Sequence, residues 1–72
     1  MSKYAHAKTA IEQAVAAGTG EGLSREEMLL ALIVSTVDAY RTEAGRKAVR
    51  DALLYELGEV DGNIDTQFLR SR

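Results

Sequence analysis

Asp61, Asn63 and Asp65 stand at alternate positions, the spacing of the first three ligands of an EF-hand calcium loop. Such a loop needs glycine at its sixth position for a sharp turn and glutamate at its twelfth as a bidentate ligand. Those positions hold Thr66 and Arg72, so a turn followed by an N-cap accounts for the three residues without calcium. Gly18-Thr19-Gly20-Glu21-Gly22 has the glycine content of a phosphate cradle. A cradle follows a strand and carries no acid against the anion. Here a helical pattern precedes the glycines and Glu21 sits among them, so the run reads as a linker between helices. His6 has neither a second histidine nor a carboxylate three or four residues away, which leaves no local metal pair or acid–base pair. Ser35 and Thr36 lack the G-x-S-x-G surroundings of a nucleophile elbow and are expected to bond back to their own helix or to line a packing seam. Glu26, Glu27 and Asp38 are explained by capping and solvation. No catalytic residue, metal ligand or cofactor site is expected, and the chain is read as a non-enzyme.

Arg41, Arg46, Lys47 and Arg50 form the one basic cluster. Arg46 and Arg50 are like charges at i,i+4, which cost a little and invite an acidic partner. The commonest reading of such a cluster is a solvated face, since Glu43, Asp51 and Glu56 are interspersed with it. Contact with an acidic protein or with nucleic acid are the functional alternatives. Against nucleic acid stand the net charge of −2, the glycine-rich link where a tight recognition turn would be needed, and the lack of Asn or Gln on the third helix to read bases.

The elements that must position these groups are helices. The chain has 72 residues and no proline, and it is rich in Ala, Leu, Glu, Arg and Lys, the residues that lose least on becoming helical. Helix 1 is expected at about residues 3–17, with Tyr4, Ala7, Ile11, Ala14 and Val15 on one narrow, alanine-rich face. Helix 2 is expected at about 24–41. It opens on Ser24-Arg25-Glu26-Glu27, a capping box in which serine and glutamate satisfy each other's backbone amides. Helix 3 is expected at about 44–59, with a break at about 42–45 and Thr42 as its candidate N-cap. Two features argue for the break. Gly45 is unfavourable inside a helix by about 1 kcal/mol relative to alanine. The stripe Val49, Leu53, Leu57 and Val60 would also face roughly 150–180° away from that of helix 2 if the helix were continuous. Beyond it, residues 61–72 hold a turn and a short helical turn capped by Asp65, from which Phe68 and Leu69 can fold back. The expected fold is thus an all-α, single-domain bundle of three main helices.

The longest apolar run, Met28 to Val34, is far shorter than the roughly 18–20 residues of a bilayer span. The first residues, Met-Ser-Lys-Tyr-Ala-His, show no apolar core of a secretory signal. With no cysteine, these features favour the cytoplasm and exclude disulfides and thiolate metal sites. A core this small rarely yields more than about 3–5 kcal/mol without help. With disulfides excluded and metal not expected, the helper sought is a partner chain.

That run makes helix 2 apolar on all sides, the pattern of a helix buried all round. The broad side, Leu29, Leu30, Ile33, Val34, Val37 and Tyr40, is expected to face helices 1 and 3. The opposite side, Met28, Leu32, Ser35 and Ala39, is expected to meet a second copy of the chain about a two-fold axis. Phe68 and Leu69 covering it from within is the alternative. The function expected is a small protein–protein interaction module: a homodimer, or an adaptor or inhibitor docking on a larger protein. The runner-up is a nucleic-acid-binding regulator using Arg41, Arg46, Lys47 and Arg50.

Overall fold

A computed structural model describes residues 2–62. They form three helices and, among the described residues, no strand: α1 Lys3–Thr19, α2 Arg25–Ala44 and α3 Arg46–Asp61. The all-α expectation holds. Asp65, Phe68 and Leu69, with the expected C-terminal turn, lie outside the described residues. The chain forms two units, Met1–Thr36 and Val37–Arg72.

In the first unit, Ser2 caps α1, its Oγ accepting the Ala5 N–H at 3.1 Å. The helix does not stop before the glycines. It runs two residues further than the pattern suggested, so Gly18 is helical and buried. The Leu23 N–H donates to the Gly18 carbonyl at 3.0 Å and the Gly22 N–H to that of Thr19 at 3.1 Å. These are the two bonds of a Schellman motif, and its left-handed position is filled by Gly22 at φ +95°. The glycine run is therefore a built helix terminus, not a slack linker. Two residues on, the capping box forms as the sequence implied. The Ser24 N–H donates to Glu27 Oε1 at 2.8 Å and the Glu27 N–H to Ser24 Oγ at 3.0 Å. Glu12 and Arg25 pair across the turn at 3.6 Å. Both are exposed, so the pair is worth at most about 1 kcal/mol.

Gly18 has a second task. A Cβ built on it would lie 2.3 Å from both Cγ and Sδ of Met28. The Met28 side chain occupies the space that any other residue would need. Val15, one turn earlier, is 1 % exposed. Met28 and, one turn on, Leu32 are half-buried. Both expected faces of α2 are thus mixed: Met28 and Leu32 of the side expected to meet a second chain are half-buried, as is Val37 of the expected core side, while Ser35 and Ala39 are exposed. The side reserved for a second chain begins with a residue seated on α1, while Leu30, Ile33 and Val34 of the expected core side are exposed. The reason is steric. Close approach to α1 occurs at its glycine, and an unbranched thioether fits such a gap where β-branched Ile33 or Val34 would not.

In the second unit, α2 and α3 are joined by one residue. Gly45 has φ +93° and ψ 168°, a region essentially reserved for glycine. The expected break over 42–45 narrows to this residue. Thr42 does not cap α3: its hydroxyl donates to the Asp38 carbonyl at 3.1 Å within α2. Gly45 takes the N-cap position with no side-chain bond. Val49 and Gly58 are the buried residues of α3.

Candidate interaction surfaces

Two surfaces stand out, one in each unit. The first lies on α2 within the first unit. Leu29, Leu30, Ile33 and Val34 fall within about 140° of its circumference at 100° per residue. Leu30, Ile33 and Val34 are 61 %, 59 % and 62 % exposed. One turn before them, Glu26 and Glu27 occupy the same side. Glu27 is held by the capping box. Among the described residues, Glu26 has no cation within 4.0 Å.

The second is a groove of about 630 Å³ in the second unit. Its apolar wall is Val49, Leu53, Leu54 and Leu57, and its basic rim is Arg41, Arg46, Lys47 and Arg50. The whole basic cluster singled out from the sequence is therefore gathered at one place. Its members are not equivalent. Arg41 pairs with Asp38 one turn back, and Lys47 pairs with Asp51, four residues on, at 2.9 Å. Arg46 and Arg50 have no carboxylate within 4.0 Å among the described residues. They supply the net positive charge of the groove. A planar guanidinium is suited to forked bonds with carboxylates and loses less than an ammonium on leaving water. The groove thus offers an apolar wall beside two cations able to bind acids.

Of the residues expected at an interface, Met28 and Leu32 are half-buried, and Ser35 and Ala39 are exposed. Met28 is taken up by Gly18 within the chain. His6, Ser35 and Thr36 are each exposed. Among the described residues no three His, Asp or Glu side chains come together as a metal site would require. No described helix is long and apolar enough to cross a membrane. The stripe of Leu53 and Leu57 was found from the sequence, but its place as the wall of a groove beside the basic cluster was missed. Its signal was present: Arg46, Arg50, Leu53 and Leu57 follow one another at helical spacing and so share a face.

No protein-family model, curated protein or solved structure matches the chain.

Proposed function

We propose that the protein is a small, non-enzymatic protein–protein interaction module of the cytoplasm, docking through the exposed face of α2. The observation that carries this reading is the imbalance between covered and uncovered apolar groups. Among the described residues, Val15 and Val49 are the buried large apolar side chains, while Leu30, Ile33 and Val34 stand about three-fifths exposed on adjacent turns. Covering those three side chains is worth about 1–2 kcal/mol each, or about 3–6 kcal/mol together. A chain of this length has roughly 4–11 kcal/mol of stability in all. Contact with another polypeptide along this face is therefore worth, before the cost of association, a sizeable fraction of the stability of the fold.

A photo-crosslinking amino acid at position 33, expressed in the native cytoplasm, tests the reading. A protein adduct, to self or to another chain, that fails to form from the exposed position 13 supports it. Absence of any protein adduct from position 33 overturns it. Nucleic-acid binding is the second reading, favoured by the four cations around one groove. Two of the four already have carboxylate partners, and the wall is leucine. A gel shift that weakens steeply with salt is its signature.

A further inference from the structure

We propose that the partner is a second copy of this chain, and that the acid-headed face of α2 in each copy lies along the basic-headed groove of α3 in the other. The inference rests on the interaction reading and adds the occupant.

It starts from a repeated pattern. Along α2, Glu26, Leu30, Ile33, Val37 and Tyr40 follow one another at alternating steps of four and three residues. Along α3, Arg46, Arg50, Leu53, Leu57 and Val60 do the same. Steps of four and three are the seam of a coiled-coil helix, the a and d positions whose side chains interlock with a neighbour's. The two seams share this spacing at an offset of 20 residues and differ in kind at their second position, Leu30 on α2 against Arg50 on α3. Each consists of a charged head and an apolar body. The heads have opposite sign: Glu26 and Glu27 on α2, Arg46 and Lys47 on α3.

The structure leaves most of both seams uncovered, Val37 being half-buried. Leu30 and Ile33 are 61 % and 59 % exposed on α2, and Leu53, Leu57 and Val60 are 46 %, 53 % and 81 % exposed on α3. Within the described residues, Glu26 lacks a cation and Arg46 and Arg50 lack a carboxylate. Each seam therefore offers both the apolar surface and the charge that the other needs.

Direction decides where the match can be made. Acid head meets basic head, and body meets body, only if the two helices run parallel. Helices joined through Gly45 alone cannot lie parallel and in register, because the chain would have to travel back the length of α2 to begin α3. A second copy meets the condition. A two-fold axis makes the two contacts equivalent, each setting one acidic head against one basic head. The chain's own residues 63–72 are a poorer occupant for the groove. They contain one acid, Asp65, and two arginines, Arg70 and Arg72, so they bring net positive charge to a positive rim.

The experiment is a charge exchange read by light scattering. Wild type at tens of micromolar is expected at twice the 7.8 kDa of one chain. Arg46→Glu alone and Glu26→Arg alone should each weaken self-association about tenfold or more, because each sets like charges against one another at both contacts. The double variant carrying both changes should recover to within about threefold of wild type. An equimolar mixture of the two single variants should form a heterodimer, since every head then meets its opposite. Helical circular dichroism of each variant checks that the chain still folds. A monomeric wild type, or a dimer indifferent to both single changes, overturns the proposal. If position 33 then crosslinks to a different protein, the interaction reading stands and only the second copy is lost. If it crosslinks to none, both fall.

Discussion

Replacing Gly18 with alanine sets two known effects against each other. Glycine inside a helix costs about 0.8–1 kcal/mol relative to alanine, so at an open helical position the change would stabilise by that amount. At Gly18 the added Cβ would come to 2.3 Å of Met28 Cγ and Sδ, where carbon contacts belong at about 3.5–4.0 Å. Cγ lies close to the backbone, so moving the tip of the side chain does not relieve the overlap. Met28 must change its first rotamer or α2 must retreat from α1. Overpacking of this kind costs about 1–3 kcal/mol, and with loss of the Met28 contacts it outweighs the gain in propensity. Gly18→Ala should therefore destabilise the protein by about 1–2 kcal/mol, with the melting temperature falling about 4–8 °C for each kcal/mol in a domain of this size. In a Met28→Ala background the obstructing atoms are gone, and the same change should stabilise by about 1 kcal/mol. The coupling between the two sites is then about 2–3 kcal/mol. Thermal or urea unfolding of the four proteins, followed by helical circular dichroism, measures it. Equal stabilisation by Gly18→Ala in both backgrounds would show that Met28 is not seated on Gly18, and the account of α1 against α2 would fail.

Gly45→Ala should cost about 1–3 kcal/mol, because φ +93° with ψ 168° strains any side-chain-bearing residue even with open space around it; a raised melting temperature would contradict this. Ser24→Ala should cost about 0.5–2 kcal/mol through loss of the capping box, and Glu27→Ala should add little in that background, which a double-mutant cycle checks. Leu32→Glu should destabilise the fold by about 1–3 kcal/mol because Leu32 is half-buried, while Ile33→Glu should leave unfolding of the isolated chain nearly unchanged and abolish association, which light scattering reads. Calcium, zinc and ATP should show no micromolar binding in calorimetry, as the failed loop spacing of Asp61, Asn63 and Asp65 implies.

What could be read in advance was local. The capping box needs four consecutive residues, and Ser24-Arg25-Glu26-Glu27 specifies it whatever surrounds it. The break before α3 is written in Gly45 and in the change of apolar face; its narrowness was missed, and Gly45 rather than Thr42 takes the N-cap position. The end of α1 was misjudged because glycine has two opposite uses. Gly22 ends the helix with its left-handed backbone, whereas Gly18 stays helical and is there for lack of a side chain. Composition does not tell the two apart. The seating of Met28 on α1 was missed for a related reason. A sequence shows how wide each apolar stripe is, but the contact with α1 goes where backbones can approach, and that was fixed by Gly18, a residue on another element. The basic cluster was found from charge alone. Its leucine wall was counted as core because an apolar stripe shows no sign, in sequence, of being left uncovered.

The seat of Met28 also exposes this fold to oxidation. The chain has no cysteine and two methionines, so beyond Met1 the soft sulfur available to peroxide is the one lying on Gly18. The side chain is half-buried, within reach of a small oxidant. Adding oxygen turns a pliable apolar thioether into a bulkier, polar, chiral sulfoxide. That group has no room against a helix backbone where even a methyl group would overlap the sulfur. Oxidation would therefore act on the contact between α1 and α2 itself, and methionine sulfoxide reduction would restore it. Peroxide treatment should lower the melting temperature of the wild type and leave that of Met28→Leu unchanged.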